Sequence, residues 1–451
     1  MNPNPHSNKA PLFSLTAISL AAAMFAAPAD AAADADALAQ KLDALAAQVQ
    51  AMQKEIAELK AQNEALAAQQ EAGARPAATT TAAGASGAAG GHAGAATVAA
   101  SDDRQLSIYG YGEIAYSNYD HDDSRTQADL SRAVFGFGYR FNDSTHFLSE
   151  FEFEHAVTSA DDSGEAEVEQ FYVDHSFNPY ISAKAGLFLI PSGLINTAHE
   201  PTRYYGVLRN QVETAIIPST WREGGVGLHG SSDLGLSWDL GLTTGMKLAN
   251  WDFTGSDGKE SPFGAIHQEL QFASASDLSQ YLSLEYDGIA GLRVGGSVFT
   301  GEVDQSQPGI PGNPRATLWE AHTRYLAHNL DLAALYAHGS ISDTAALNLA
   351  NVGQPTPIPK DFYGWYLQAA YKVWQHGSYS ASPFLRYERY NTGSSFAAQP
   401  AGLGTAAYPL ESVQTIGMNF YLDPNVVLKI DYQNFDVLDD DRFDLGIGLT
   451  F

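Results

Sequence analysis

Basic residues that alternate with apolar residues are the side chains best suited to bind a dissolved solute. In several segments every second residue is apolar or aromatic, and the cationic residues fall on the opposite face: Arg132, Arg140, Lys184, Arg293, Arg324, Lys372, Arg386 and Lys429. Guanidinium groups bind carboxylates and phosphates through paired hydrogen bonds. A water-facing row of these side chains would therefore favour anions.

Acidic residues follow the same alternation in the segment EFEFEH. Glu150, Glu152 and Glu154 would face the same side as the basic residues, because neighbouring side chains of a strand point to opposite faces. Opposed acidic and basic rows produce a transverse field. Such a field is as typical of general diffusion as of selection for one ion, so the sequence leaves both interpretations open.

A third group of candidate residues lies in one long connection, residues 191–223. Its charged and tyrosine residues are Arg203, Arg209, Arg222, Glu200, Glu213, Tyr204 and Tyr205. The same connection contains Ile216, Ile217 and Trp221, which require burial, whereas an ordinary surface loop is more polar. The composition predicts a loop that folds inward, whose charged residues either line a narrow passage or form ion pairs with the wall.

Other kinds of chemistry find little support in the sequence. The histidines of the predicted strands and turns occur singly, without a surrounding nucleophile or catalytic motif: His146, His155, His175, His229, His322, His328 and His338. The absence of cysteine excludes disulfides and thiolate sites. A net charge of -28 argues against a basic nucleic-acid footprint. We therefore expect no enzyme activity, cofactor, metal site or nucleic-acid partner.

Much of the negative charge is predicted to lie in outer loops. The segments YDHDDS, SADDSGEAEVE and VLDDDR concentrate carboxylates between the alternating segments. Solvated loops explain them most simply, although carboxylate clusters could also bind divalent cations beside lipopolysaccharide.

The first hundred residues form three segments with different compositions. Residues 1–31 combine Lys9, an apolar run and the small residues before position 32, which predicts a secretory signal peptide rather than a retained membrane anchor. Residues 32–71 carry an apolar heptad repeat, which predicts a coiled coil and self-association, with a solitary amphipathic helix as the alternative. Leu42, Val49 and Ile56 at the a positions with leucine at d lean towards two strands. Residues 72–104 form an Ala/Gly-rich linker.

Residues 105–451 predict the element that positions the charged residues. No stretch approaches the roughly 18 apolar residues of a spanning helix. About 16 alternating segments are instead joined by tight turns and long polar loops in alternation, the asymmetry of outer-membrane barrels. The last segment, FDLGIGLTF, can pair with QLSIYGYGEIAY near residue 106 to close the wall. We predict an all-β transmembrane barrel of about 16 antiparallel strands, with the N-terminal segment in the periplasm; a secreted β-sandwich is the alternative.

A resemblance to a known family comes from the long connection. Its motifs are His199-Glu200-Pro201, Tyr205-Gly206-Val207, Arg209-Asn210, Val212-Glu213, Ile216-Ile217-Pro218-Ser219-Thr220-Trp221 and Glu223-Gly224-Gly225. The segment resembles Gram-negative outer-membrane porins of the phosphate-selective O and P type and their trimeric relatives. The resemblance implies a trimeric passive channel of 16 strands, in which this loop constricts the pore.

These observations give one expected function and two alternatives. We expect an outer-membrane porin that passes small hydrophilic solutes, with a preference for anions such as phosphate or carboxylates. Phosphate selectivity itself is not carried over, because the dense basic ladder of the phosphate-selective members is not evident here. The alternatives are a membrane anchor or adhesin, and an enzyme built on a barrel.

Overall fold

The computed structural model describes residues 105–159, 163–397 and 408–451, together with Lys54. Apart from Lys54, the predicted signal peptide, coiled coil and linker lie outside the described residues. The chain divides into two units, Met1–Gly87 and Ala88–Phe451, and the fold described below belongs to the second. Among the described residues, no helix has the length and apolar character needed to cross a membrane.

The alternating segments form β-strands, as the sequence predicts. Their bounds are β1 Leu106–Tyr119, β2 Gln127–Asn142, β3 Thr145–Glu154, β4 Ala166–Asn178, β5 Ile181–Leu189, β6 Arg222–Ser231, β7 Leu236–Thr244, β8 Leu278–Ile289, β9 Leu292–Glu302, β10 Arg315–Ala327, β11 Leu330–Ile341, β12 Pro359–Tyr371, β13 Trp374–His376, β14 Tyr379–Phe396, β15 Glu411–Asp423, β16 Val426–Phe435 and β17 Arg442–Thr450.

The strands form one closed antiparallel barrel, which confirms the predicted fold class. Except for β12 and β13, each strand pairs with its neighbour in sequence, and β17 pairs with β1 with Ile447 opposite Ile114. The short strand β13 follows β12 after two residues, and both pair with β14. The wall therefore has 16 strand positions. Closure satisfies the backbone hydrogen bonds of the first and last strands, which a hydrocarbon environment requires.

The two faces of the wall differ as the alternation predicts. On β2, Phe135, Phe137 and Tyr139 are exposed on the outer surface, whereas Arg132 and Val134, at positions of the opposite parity, are buried inside. Strands β12 and β16 repeat the alternation: Leu367 and Tyr371 on β12 and Leu428 and Ile430 on β16 are exposed outside, whereas Tyr366, Lys429 and Asp431 are buried inside. The barrel thus presents an apolar outer surface and a lumen lined by charged and polar side chains.

Short turns alternate with long connections along the chain. The long connections contain short helical pieces: turns at Asp123–Arg125 and Leu248–Asn250, a π-helical turn at Val212–Ile216, and α-helical turns at Asp257–Glu260 and Ala345–Ala350. Two connections, β5–β6 and β7–β8, supply buried apolar residues to one cluster. That cluster contains Val212, Ile216, Ile217, Trp221, Met246, Leu248, Trp251, Phe263 and Ile266 together with wall residues.

The structure corrects two sequence expectations. Glu167 and Glu169 were assigned with the solvated acids of SADDSGEAEVE, but both lie on β4, and Glu169 is 0% exposed. Alternate residues of β4 point into the barrel, and this position on the strand, rather than the acidic composition of the neighbouring loop, determines that Glu169 is buried. The β7–β8 connection was expected to be polar, yet Trp251, Phe263 and Ile266 in it are buried. Their large apolar area is removed from water by packing within the barrel.

Candidate pore constriction

The β5–β6 connection, residues 190–221, begins and ends at a hydrogen-bonded neck. The backbone N–H of Ile190 donates to the carbonyl of Trp221 at 2.9 Å. The side-chain amide of Asn196 donates to the carbonyls of Ile190 and Trp221 at 2.8 and 2.9 Å, and its oxygen accepts from the N–H of Trp221 at 2.7 Å. The Asn196 side chain therefore forms hydrogen bonds with backbone groups at both ends of the loop, where a neighbouring strand would otherwise supply the partners.

Apolar residues hold the second half of the loop in the lumen. Trp221, Ile216 and Ile217 are all fully buried. The Trp221 ring packs edge-to-face on Phe299 of β9, with 4.5 Å between the ring centroids. Burial of these side chains stabilises the inward position by roughly 1.5–3 kcal/mol each.

Glu213 joins the loop to itself and to the wall. One carboxylate oxygen accepts hydrogen bonds from the N–H groups of Leu194 and Ile195, both at 2.7 Å. The other accepts from Asn210 at 3.2 Å and from the hydroxyl of Tyr366 on β12 at 2.8 Å. Burial raises the pKa of Glu213, although these donors oppose the shift.

Gly193 makes this arrangement sterically possible. Its φ of +77° is the left-handed conformation that glycine adopts without penalty. A Cβ at this position would lie 2.3 Å from the Glu213 carboxylate oxygen. Any larger residue would therefore displace the carboxylate that accepts the next two backbone N–H groups.

Wall residues on the far side of the lumen accept hydrogen bonds from the loop backbone. Glu388 on β14 accepts from the N–H groups of Gln211 and Val212 at 2.7 and 3.3 Å. Asp431 on β16 accepts from the N–H of Val207 at 2.6 Å. The loop therefore crosses from β5 to the opposite strands and is held there by buried carboxylates.

Most predicted pore-lining cations form ion pairs. The closest nitrogen–oxygen distances are 2.7 Å for Arg132–Glu113, 2.6 Å for Lys184–Asp239, 3.7 Å for Arg293–Glu285, 2.7 Å for Arg324–Asp331 and 2.8 Å for Arg386–Glu388. Arg140 lies near the β2–β3 turn, 3.8 Å from Asp143. Lys372 contacts Gln375, and Lys429 packs over the Tyr204 ring at 3.6 Å.

Two of these cations also hold the loop. Arg132 donates to the carbonyl of His199 at 2.6 Å, and Arg386 donates to the carbonyl of Tyr205 at 3.1 Å. A guanidinium that already bridges a wall carboxylate and a loop carbonyl has few donors left for a solute. Both arginines therefore act mainly on the position of the loop.

The seven loop candidates occupy different environments. Arg203 is exposed, Tyr205 packs beside Phe384 and Tyr204 donates to Glu113 at 2.7 Å. Arg222 pairs with Glu167 at 2.6 Å and Glu269 at 3.1 Å. Glu200 and Glu213 complete the group, the former half-buried and the latter buried.

Arg209 is the loop arginine at the lumen cavity beside β2 and β3. Its guanidinium donates to the hydroxyls of Ser219 and Thr220, the latter at 2.8 Å. Desolvation and the nearby charge of Arg132 lower its pKa. The cavity measures about 320 Å³ and is lined by Glu113, Arg132, Glu152, Glu154, Tyr204, Arg209 and neighbouring hydroxyl residues. The structure thus brings Arg209 to the same space as the predicted acidic row on β3.

Sequence reasoning missed several residues that fix the loop. Glu113, Tyr366, Glu388 and Asp431 contact it from four different strands. The sequence does predict that their side chains point into the barrel, since each alternates with outward apolar residues. Which of them would face the loop was not readable, because that depends on the strands across the lumen.

Comparison with known proteins identifies one relative with a clear sequence similarity. An uncharacterized protein of Aquifex aeolicus strain VF5 is 32% identical over 343 residues, which cover 74% of this chain and 76% of that protein. The chain belongs to the same family as this Aquifex protein. No protein-family model matches the sequence.

Solved structures similar to this chain include outer-membrane proteins. The OmpF porin of Salmonella typhi, solved with daunomycin, superposes with a TM-score of 0.53 at 18% identity, covering 77% of this chain and 97% of that one. The outer-membrane channel DcaP of Acinetobacter baumannii gives a TM-score of 0.49 at 13% identity, with coverages of 77% and 97%. The OmpF comparison establishes that the chain has a porin fold.

Proposed function

We propose that the protein is an outer-membrane porin, a passive diffusion channel for small hydrophilic solutes. The observation that carries the proposal is a closed barrel with an apolar outer surface and a charged lumen, narrowed by an inward loop. An apolar exterior suits lipid contact, since a charge on that face at the membrane midplane would cost about 2–4 kcal/mol. A lumen of charged and polar side chains suits water and solutes.

The membrane and the partners are part of the same proposal. The porin fold and the resemblance of the loop motifs support an outer-membrane position, with contacts to lipid and lipopolysaccharide. The resemblance also supports a homotrimer, and the predicted coiled coil of residues 32–71 would add self-association on the periplasmic side. The heptad pattern by itself leans towards a dimer, so the number of subunits is best tested directly.

Anion preference is the finer part of the proposal. Ion pairs with Glu113, Asp239, Asp331 and Glu388 neutralise much of the basic wall. Arg203 and Arg209 have no carboxylate within ion-pair distance among the described residues, and these loop cations would attract anions. Because Glu152 and Glu154 line the same cavity as Arg209, we propose a weak preference for anions such as carboxylates or phosphate.

The anchor and enzyme alternatives explain less of this arrangement. A barrel that served only as an anchor would need no charged passage across a loop held by buried carboxylates. A hydrolytic enzyme would need a nucleophile and a base in hydrogen-bond contact at one rim. Only the channel proposal explains why a loop folds inward and narrows the lumen.

Reconstitution of the purified full chain in a planar lipid bilayer tests the proposal. We expect stable conductance steps, grouped in threes if the channel is a trimer, and a small reversal potential favouring chloride in a KCl gradient. A reversal potential favouring potassium would overturn the anion preference and leave the channel in place. The protein can be shown to be folded by its resistance to heat denaturation. If such folded protein gave no conductance, the result would favour the anchor.

A further inference from the structure

Three potential metal ligands converge where the inward loop passes the wall. Glu150 lies on β3, Glu169 on β4 and His199 in the first half of the loop, and all three are buried. One donor atom from each lies within 4.8 Å of the others. Bonds of about 2.0–2.2 Å to a zinc-sized ion would place donors somewhat closer than this, so a small contraction would close the site.

Glu169 has one carboxylate oxygen without a hydrogen-bond donor in the described part of the chain. Its side chain is 0% exposed, yet its Oε1 atom accepts no hydrogen bond from any described residue. The same atom lies 3.7 Å from Nε2 of His199. A buried carboxylate oxygen without a donor is costly unless a cation or proton compensates it.

The orientation of His199 suits a metal ligand. Nδ1 of the ring is 2.9 Å from the carbonyl oxygen of Asn196, and it must carry hydrogen because a carbonyl only accepts. Nε2 therefore faces the carboxylates, and it would offer its lone pair to a metal ion once it has lost the hydrogen that it shares with Tyr111. Metal-binding histidines commonly donate their second N–H to a carbonyl in this way, which fixes the tautomer and the ring orientation.

Tyr111 occupies the space between the ring and the carboxylate. Its hydroxyl is 2.6 Å from Nε2 of His199 and 2.7 Å from Oε2 of Glu169. The single hydroxyl proton is donated to Glu169, so Nε2 of His199 donates its hydrogen to the Tyr111 oxygen in the observed arrangement. A bound metal ion would replace this bridging proton. The Tyr111 side chain would then either rotate away or give its oxygen as a further contact to the ion.

We propose that Glu150, Glu169 and His199 bind one divalent transition-metal ion of the zinc type, which ties the inward loop to strands β3 and β4. Two carboxylates balance the charge of the ion. The imidazole nitrogen favours zinc over calcium, which prefers oxygen ligands in larger number. Arg132 and Glu200 are nearby charges of opposite sign, and they partly offset one another.

The ion has a route to the site from the lumen. A cavity of about 180 Å³ is lined by Gln170 and Ala198, the neighbours of Glu169 and His199 in sequence. The side-chain amide of Gln170 donates to Glu150 at 2.5 Å, so a rotation of this amide would expose the carboxylate to the cavity. Binding therefore requires side-chain movement but no opening of the barrel.

Metal titration of the detergent-folded full chain tests the proposal. After removal of metal with EDTA, we expect calorimetry and elemental analysis to give one zinc ion per chain, with much weaker binding of calcium. Glu169→Gln and His199→Ala should each weaken zinc binding at least about tenfold, the loss typical of damaged metal sites. X-ray absorption at the zinc edge should give nitrogen and oxygen ligands.

His322 supplies a matched control. It is also buried between two carboxylates, but Glu320 approaches Nδ1 at 2.8 Å and Glu285 approaches Nε2 at 3.4 Å, so no three donors meet on one side of the ring. His322→Ala should leave zinc binding intact. Equal losses in both histidine variants, or no saturable zinc binding by folded wild-type protein, would overturn the proposal. The wild-type titration and absorption spectrum decide the question even if a variant fails to fold.

Discussion

The carboxylate of Glu213 in the inward loop accepts a hydrogen bond from the hydroxyl of Tyr366 on the barrel wall, at 2.8 Å. Both side chains are buried, and the same carboxylate accepts the N–H groups of Leu194 and Ile195. The contact therefore couples three parts of the lumen: the first half of the loop, its π-helical turn and strand β12. Removal of one acceptor atom should affect all three.

We expect Glu213→Gln to destabilise the protein by about 1–3 kcal/mol, since the amide keeps the side-chain shape but turns one acceptor into a donor. Donors of the loop or Tyr366 would then lose a buried partner. Unfolding in detergent measures the loss, and single-channel recording should give noisier or larger conductance. Glu260→Gln is the control because Glu260 is exposed. Equal stability of the two variants would contradict the role of Glu213.

Arg209 is the second test, because it faces the constriction cavity without a carboxylate partner among the described residues. Arg209→Ala should raise conductance and shift the reversal potential towards potassium, since it removes a cation opposite Glu152 and Glu154. Arg140→Ala removes the same charge near the β2–β3 turn and should shift the potential less. Unchanged current with lower thermal stability would mean that Arg209 acts only as a strut through Ser219 and Thr220.

Trp221 provides a packing test at the end of the loop. Its ring is 0% exposed, so Trp221→Ala should leave a cavity and cost about 3–5 kcal/mol in the free energy of unfolding. Trp221→Phe should restore part of this, because a ring would still pack against Phe299. Trp319 faces outward and is 43% exposed, so Trp319→Ala should cost less. If both substitutions lowered the free energy of unfolding by a similar amount, the packing of Trp221 in the lumen would not be what stabilises the loop.

The strands were predictable because their signal is local. Alternation of apolar and polar residues predicts strands at residues 106–119, 166–178 and 315–327, and these ranges coincide with β1, β4 and β10. The inward course of the β5–β6 loop was equally suggested by Ile216, Ile217 and Trp221, which need burial. These features require no knowledge of distant parts of the chain.

The partners of the loop could not be predicted in the same way. The pairs Val207–Asp431 and Gln211–Glu388 join residues that are 224 and 177 positions apart. They depend on the curvature of the whole barrel, which brings β14 and β16 opposite β5. For the same reason the acidic composition predicts a solvated Glu169, although its strand turns it into the lumen beside His199.

Acidification should weaken the contact between the β7–β8 connection and β6 through His267. Burial lowers the pKa of His267; the nearby Glu269 carboxylate, 3.3 Å from Nδ1, opposes the shift, and the Arg222 charge adds to it. The unfolded chain therefore binds a proton more readily than the folded chain. Stability should consequently fall as the pH drops below about 6.5, the ordinary histidine value.

The free energy of unfolding in detergent between pH 7.5 and pH 5 measures this dependence. The contribution of His267 should not exceed about 1.4 kcal/mol per pH unit, the limit for one proton. His267→Gln should flatten the profile in this range, because the amide does not titrate. His376→Gln changes an exposed histidine and should leave the profile as in the wild type. A profile that His267→Gln leaves unchanged would show that other groups cause the loss, and a rise in stability on acidification would contradict the sign of the shift.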